Sequence, residues 1–253
     1  MGHVALIYDA ELTPSKPDLL TEWVPRQSWF AGDAAARVRI LGSYRFDDPA
    51  GEVGIETFLV RFGDGPVLQV PLTYRGRPLD DRADAAEVEP ITTMQHSVLG
   101  TRWVYDGPHD PAYVAALASA VLTGGSEAKL LMSDGTELPS RGSVQGSGAA
   151  ADGVAEPASL DVIDSDGATA CVTPDYTLAV RRLVEPGDAA AADVAGAETL
   201  DLRLTGTWAG SPEQAVLVVL SGRASSAVES RNAEPAPAPS TASFGRSMPE
   251  PHG

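Results

Sequence analysis

Cysteine, lysine and asparagine are almost missing from this sequence of 253 residues, and each scarcity excludes a class of site. The single cysteine, Cys171, cannot form an internal disulfide or a cysteine-based zinc site, and its β-branched neighbours are typical of a small buried hydrophobe. A phosphate-binding loop needs a lysine next to its glycines, but the only lysines are Lys16 and Lys129. The only asparagine is Asn232, so the metal-binding asparagine of a protein-kinase catalytic loop has no candidate outside the C-terminal region. No GxSxG motif offers a serine nucleophile.

Basic residues are also scarce, since 18 lysines and arginines stand against 35 acidic residues and give a formal net charge of −17. Nucleic acids and anionic membranes are bound through clustered positive charge, so we expect neither as a partner. Solubility is the simplest reason for such acidity. No apolar run approaches the roughly 20 residues of a membrane-spanning helix. The start of the chain lacks the basic residues and long apolar core of a signal peptide, and we expect a soluble cytoplasmic protein.

Glycine and proline, by contrast, are abundant, with 25 and 20 residues, and their distribution divides the chain. Residues 1–125 carry helix and strand signals and predict one domain. Residues 126–159 are rich in glycine, serine, alanine and proline, which predicts a flexible linker. Strand signals return over 160–222, and 223–253 has the polar, proline-rich composition of a disordered tail.

The chain is organised around the stretch from Leu19 to Tyr74. Apolar residues at helical spacing predict a short helix behind the capping residue Ser15, and Pro25 ends that helix. An Asp64–Gly65 turn separates two runs that are rich in β-branched and aromatic residues, which predicts a β-hairpin. We expect the turn that follows the helix, residues 27–32, to pack on this hairpin, and we call it the aromatic turn.

His109 and Asp110 stand side by side, and the pair permits an acid–base interpretation. Asp110 also precedes Pro111, which is the pattern of a helix N-cap and first turn, so we favour the structural interpretation. The four histidines are not spaced as metal ligands. The sequence therefore predicts no metal site and no catalytic residue.

Two groups of aromatic residues are the remaining candidates for contact with a ligand. Aromatic rings stack on sugar rings, and the arginine and glutamine of the aromatic turn region can present polar groups beside them. The alternative is core packing, because such rings bury large areas. The binding candidates are Arg26, Gln27, Trp29, Phe30 and Trp103.

The segment PRQSWFAG resembles the helix-to-strand signature of the N-terminal cap domain of actinobacterial maltokinases, which usually reads Q-R-W-F-x-G. The matching residues are Gln27, Trp29, Phe30 and Gly32. Ser28 stands where a basic residue is usual. The segments DDPAGEVGIE, VPLTYRG and HSVLGTRWVYDG are similar to short stand-alone proteins called maltokinase N-terminal cap-like, and the resemblance covers residues 12–125.

This resemblance implies an α+β fold, in which a curved antiparallel β-sheet with flanking helices forms a cystatin-like cap, followed here by a second small strand-rich part. In maltokinases the cap sits on the N-lobe of a kinase that phosphorylates maltose with ATP and feeds α-glucan synthesis. The segment LAVRRLVEPG resembles a strand of that N-lobe, but Leu178 stands at the position of the ATP-contacting lysine. No counterpart of the kinase C-lobe follows, so the resemblance carries over no catalytic residue.

We therefore expect a non-catalytic accessory or regulatory protein of maltose, trehalose or α-glucan metabolism, which docks its sheet or aromatic turn on a kinase or another glucan enzyme. Two alternatives stay open. One is a component of an ATP-dependent, maltokinase-like sugar kinase, and the other is a module that binds maltose or α-glucan through its tryptophans. We expect no cofactor.

Overall fold

The described part of the chain consists almost entirely of antiparallel β-sheet. A computed structural model describes residues 4–7, by backbone alone, and residues 10–79, 88–132, 134–189 and 201–222. These residues belong to one compact unit. The tail that we predict to be disordered, 223–253, lies outside the described residues. Among the described helices, none is both long and apolar enough to cross a membrane.

Sixteen strands and two α-helices are formed within the described residues. The strands are β1 Val4–Ile7, β2 Leu12–Thr13, β3 Val38–Phe46, β4 Val53–Phe62, β5 Val67–Arg75, β6 Thr92–His96, β7 Gly100–Asp106, β8 Lys129–Met132, β9 Glu137–Leu138, β10 Gly142–Gly146, β11 Asp161–Asp164, β12 Ala168–Val172, β13 Tyr176–Arg181, β14 Leu183–Val184, β15 Leu202–Trp208 and β16 Ser211–Gly222. The helices are α1 Lys16–Trp23 and α2 Pro111–Thr123, with 3₁₀ turns at Val24–Arg26 and Gly107–His109.

The strands form three sheets. The first sheet has seven strands in the order β2-β6-β7-β5-β4-β3, and β14 pairs with β5 outside this path. The second sheet has six strands in the order β10-β15-β16-β13-β12-β11, and a small third sheet has the order β1-β8-β9. The predicted hairpin is confirmed as β4 and β5, which pair antiparallel around the Asp64–Gly65 turn. The expectation of a sheet-rich fold is confirmed, whereas helix is limited to segments of 8 and 13 residues.

Both faces of the first sheet are buried at its central strands β4 and β5, where nearly every residue is buried. Successive side chains of a strand point to opposite faces. One face packs against α1 and the aromatic turn, and we call it the α1 face. The other packs against α2 and the second sheet, and we call it the α2 face. On β4 and β5, the α1 face carries Phe58, Val60, Phe62, Leu68, Val70 and Leu72, and the α2 face carries Val53, Ile55, Leu59 and Val67.

The two helices begin where the capping signals predict. The Ser15 hydroxyl accepts a hydrogen bond from the backbone N–H of Asp18 at 3.3 Å, and α1 follows. The Asp110 carboxylate accepts one from the N–H of Ala112 at 2.9 Å, and α2 ends at Gly124 with φ +68°. Helix α2 is apolar on nearly all sides because it lies between the two sheets.

Residues 126–159, whose composition predicts a linker, carry strands β8, β9 and β10. Strand β10 is an edge strand of the second sheet, and it pairs with β15 from Gly142↔Trp208 to Gly146↔Leu204. Its small residues have a packing role, since a Cβ on Gly146 would lie 2.0 Å from the carbonyl oxygen of Ala120 in α2. Small residues here permit close approach of strand and helix. The division of the chain into separate domains stays a prediction.

Gln69 joins the first sheet to the second from a fully buried position on β5. Its side-chain Nε2 donates hydrogen bonds to the carbonyl oxygens of Arg181 at 2.9 Å and Leu217 at 3.0 Å. Its Oε1 accepts a hydrogen bond from the Tyr44 hydroxyl at 2.9 Å, and its backbone N–H donates to the Arg182 carbonyl. A polar side chain in an apolar interior is stabilised only when its groups are paired, as they are here.

Arg182 makes a second connection, on the α1 face. Its fully buried guanidinium lies 4.4 Å from the ring centroid of Trp29, and its Nη2 donates a 2.5 Å hydrogen bond to Asp106. Its Nε donates to the Thr169 hydroxyl at 2.8 Å. Burial alone raises the pKa of the Asp106 carboxyl, but the charges of Arg182 and His109 outweigh burial and hold that pKa below its ordinary value.

The substitution Gln69→Leu should lower the free energy of unfolding by about 2–4 kcal/mol, because it leaves two buried carbonyl oxygens and one buried hydroxyl without their partner. The matched control is Gln95→Leu, since Gln95 is exposed and bonds only to the Thr101 side chain. The control should change stability by less than about 0.5 kcal/mol. Urea denaturation followed by tryptophan fluorescence measures both. Equal effects of the two changes would contradict the role of Gln69.

The substitution Arg182→Met should cost about 3–5 kcal/mol at pH 7, because it leaves the buried Asp106 charge unpaired. The native pKa of Asp106 is depressed, so its stabilisation is complete above the ordinary value of 3.8 and is lost as pH falls through the native pKa. In the variant only His109 still opposes burial, so the pKa of Asp106 rises and its protonation relieves the buried charge.

The stability difference between Arg182→Met and wild type should therefore shrink as pH falls from 7 towards 4, in urea titrations at each pH. Arg181→Met is the control, since Arg181 is partly exposed and pairs with Asp188 at 3.2 Å. It should cost no more than about 1 kcal/mol. A difference for Arg182→Met that is independent of pH would show that Asp106 is not its partner.

Candidate functional site

The aromatic turn packs on the β4–β5 hairpin, as the sequence predicts. The Phe30 and Phe62 rings meet edge to face, with centroids 5.3 Å apart. The backbone at the turn lies so close to the hairpin that a Cβ on Gly65 would be 2.7 Å from the Cα of Gly32. Glycine at both positions permits this contact, and Gly32 has φ +142°.

The binding candidates of the turn have different exposures. Trp29 is 1% exposed and packs edge to face on Trp23 at 5.9 Å, so its ring belongs to the core. Phe30 is half-buried, and Gln27 donates a hydrogen bond from its side chain to the Trp23 carbonyl. Arg26 is exposed and pairs with Glu22 one helical turn earlier.

Trp103 lies on the opposite face of the first sheet from Trp29. It is half-buried on β7 and is paired with Thr93 and Arg75 in the neighbouring strands. The next residue, Val104, packs in the same cluster as Trp29, so alternation directs Trp103 to the α2 face. The two tryptophans therefore do not form one binding surface.

Asp110 has the structural role that its position before Pro111 predicts. In addition to capping α2, its fully buried carboxylate accepts two hydrogen bonds from the Arg75 guanidinium, at 2.7 and 2.5 Å. His109 lies 3.7 Å from the Asp106 carboxylate instead. Cys171 is buried, as expected, and burial raises the pKa of its thiol to about 12, which makes it a poor nucleophile.

The structure also contains a groove of about 450 Å³ at the end of the α1 face that α1 leaves uncovered. Strands β2 to β7 of the first sheet and the first turn of α1 contribute its walls. Its volume is within the range of small-molecule sites, which often lie in the mouths of curved sheets. The lining residues that matter below are Lys16, Arg45, Tyr74, His96, Leu99 and Arg102.

A buried ion-pair cluster lies beside the groove. The Glu56 Oε2 atom accepts from Lys16 Nζ at 2.6 Å and from Arg45 Nη2 at 2.8 Å, and the Glu56 side chain is 8% exposed. Burial alone raises the pKa of Glu56, but Arg45 and Lys16 outweigh it and lower that pKa. Burial lowers the pKa of Lys16, and Glu56 opposes this change.

Arg102 adds a positive charge from β7. In the described part of the chain its guanidinium makes one hydrogen bond, to the Thr101 carbonyl, and no ion pair. The pKa of His96 on β6 is lowered, first by burial and then by the positive charges of Arg102, Lys16 and Arg45. Its Nδ1 accepts from the N–H groups of two residues in the β6–β7 turn, which also favours the neutral ring.

Tyr74 completes the inner wall. Its hydroxyl oxygen is inaccessible to solvent and has no hydrogen-bond partner. Burial, followed by the Glu56 charge, raises the pKa of Tyr74 well above its ordinary value, so the hydroxyl remains a proton donor. An unpaired buried hydroxyl costs free energy, and such a group is a candidate for ligand contact.

The groove is suited to binding. Lysine, arginine, histidine and tyrosine side chains face one another across it, and they offer hydrogen-bond donors. In the described residues there is no group of three histidine, cysteine or acidic side chains that could hold a metal ion. The sequence signal for this site is Glu56, a charged residue in the apolar run GIETFLV, which indicates a buried partner of opposite charge.

Comparison with known proteins agrees with the resemblance noted in the sequence. The family model described as the maltokinase N-terminal cap domain matches residues 23–110. This range begins at the end of α1, contains the aromatic turn and strands β3 to β7, and ends at Asp110 before α2. No curated protein matches the chain. Residues 23–110 of this chain are therefore a maltokinase N-terminal cap domain.

Proposed function

We propose that the chain is a non-catalytic accessory or regulatory protein of maltose, trehalose or α-glucan metabolism, which docks on a kinase or another glucan enzyme. The cap domain at residues 23–110 associates it with this metabolism. A cytoplasmic location is part of the proposal. We also propose that the cap has a cystatin-like arrangement, which is supported by its curved antiparallel sheet with α1 against one face.

The observation that carries the non-catalytic role is the position of Leu178. The resemblance aligns this residue with the ATP-contacting lysine of a kinase N-lobe strand. Here Leu178 is fully buried in the centre of β13 and is paired with Cys171 and Leu220 on the neighbouring strands. Phosphoryl transfer depends on positioned charges around the phosphates, and this position supports apolar packing instead.

Arg182 also supports the non-catalytic role. It lies in the segment LAVRRLVEPG, which resembles the strand of a kinase N-lobe. Its guanidinium is fully buried between the Trp29 ring and the Asp106 carboxylate, and it connects the second sheet to the cap. The residues that resemble a kinase N-lobe thus complete the core of the cap in this chain.

We place the docking surface at the turn between β6 and β7. Val98 and Leu99 at its tip are 54% and 40% exposed, and they are adjacent large apolar residues on an otherwise acidic protein. The ring of His96 holds the tip by accepting both of their backbone N–H groups, at 3.2 and 3.1 Å. A rigid apolar tip suits a protein partner because little conformational entropy is lost on binding.

The test is titration calorimetry of the full chain into a purified maltokinase, with Val98→Asp as the variant. We expect binding by the wild type and a loss of affinity of at least tenfold in the variant, since a charge would be buried at the interface. Ile163→Asp is the control, because Ile163 is 58% exposed on β11 in the second sheet. It should bind like the wild type.

Two results would contradict the proposal. Absence of heat with the maltokinase and also with α-glucan enzymes would exclude docking on these partners. ATP turnover by the chain alone with maltose would exclude the non-catalytic role and favour a sugar kinase. Binding of maltose or short maltooligosaccharides to the chain alone, without a protein partner, would favour an α-glucan-binding module.

A further inference from the structure

We propose that the groove on the α1 face binds a small phosphorylated molecule through its phosphate group. The residues concerned are Lys16, Arg45, Tyr74, His96 and Arg102. The inference is independent of the docking proposal, because it rests on the hydrogen-bond donors and charges of the groove.

The acidic groups around the groove already have partners. Glu56 accepts from both Lys16 and Arg45. Asp48 accepts from three backbone N–H groups of the β3–β4 turn, at 2.9–3.0 Å, and Glu52 pairs with Arg77 at 3.4 Å. Another carboxylate at this rim, that of Asp47, also takes part in an interaction. The acceptors that line the groove are therefore largely occupied.

The donors are in excess. The structure shows one hydrogen bond from the Lys16 ammonium, which has three N–H groups, and one from the Arg45 guanidinium, which has five. Within the described residues, Arg102 bonds only to a carbonyl of its own strand, and the Tyr74 hydroxyl has no partner. A ligand that supplies several acceptors and negative charge would pair with these groups, and a phosphate has both properties.

The cations and the acids that line the groove come from different elements. The cations come from α1, β3 and β7, and all three line the same groove. The lining acids Asp47, Asp48 and Glu52 lie on the β3–β4 turn. Because the whole chain carries a net charge of −17, anions are repelled from most of its surface. If an anion binds to this chain, we therefore expect it to bind at this cluster of cations.

The size of the groove favours a phosphate ester over the free ion. A volume of about 450 Å³ exceeds what a phosphate group fills, and the lining includes the apolar residues Leu12, Met94 and Leu99. The remainder of the ligand would lie against these residues. Uncharged sugars lack the acceptor charge that the cations would pair with.

The experiment is calorimetry of the full chain with inorganic phosphate, with glucose 6-phosphate and with glucose. NMR titration of the His96 ring is recorded in parallel, with His96→Gln to assign its signal. We expect both phosphates to bind, the ester more tightly, and glucose not to bind. Either phosphate should raise the pKa of His96, because bound negative charge stabilises the protonated ring.

Two variants remove single donors. Arg102→Gln should weaken phosphate binding by about tenfold or more, which is typical of a lost hydrogen bond to a charged group. Arg141→Gln removes the same charge from an exposed position outside the groove and should bind phosphate like the wild type. Tyr74→Phe should weaken binding without lowering the midpoint of thermal unfolding, since the native hydroxyl is unpaired. A purely structural tyrosine would not give this combination.

Three results would overturn the proposal. The first is no heat and no shift of the His96 pKa with either phosphate at millimolar concentration. The second is an equal loss of affinity in Arg102→Gln and Arg141→Gln, which would indicate non-specific charge effects. The third is equal binding of glucose and glucose 6-phosphate. None of these measurements includes a protein partner, so they are distinguishable from a failure of docking.

Discussion

The side chain of Gln69 is the contact on which the arrangement of the described residues depends. It lies in the middle of the first sheet and bonds to carbonyls of β13 and β16, and Arg182 makes a second buried connection to Asp106 and Trp29 on the other face. Together these contacts require the second sheet to pack on the α2 face. The central strands of the first sheet are therefore buried on both sides, and the groove lies at the end of the α1 face.

This arrangement explains why a segment that resembles part of a kinase need not act as one. In β13 the position of the ATP-contacting lysine belongs to Leu178, which is surrounded by core residues. Three cations, Lys16, Arg45 and Arg102, line the groove beside the first turn of α1 instead. Our two proposals use this region: the cations and unpaired donors of the groove for a small anion, and the exposed apolar tip of the β6–β7 turn for a protein partner.

Local signals were sufficient for the hairpin and both helix starts, but not for every strand and not for the site. The Asp64–Gly65 turn, the Ser15 cap and the Asp110 cap each act within a few residues, and the structure has the hairpin and both helix starts where they predict. Strand β10 could not be predicted, because its glycines weaken the strand signal and its partner β15 lies about 60 residues further along the chain. The groove depends on the pairing of Lys16 with Glu56, 40 residues away, and on a strand register that no local pattern determines.

The central claim is that the cap and the second sheet are one folding unit, because the second sheet completes the core of the cap. Differential scanning calorimetry of the full chain tests it most directly. One cooperative transition, in which the calorimetric and van't Hoff enthalpies agree, is the result that the account predicts. Two transitions, or a calorimetric enthalpy well above the van't Hoff value, would show that the two sheets unfold independently and would contradict it.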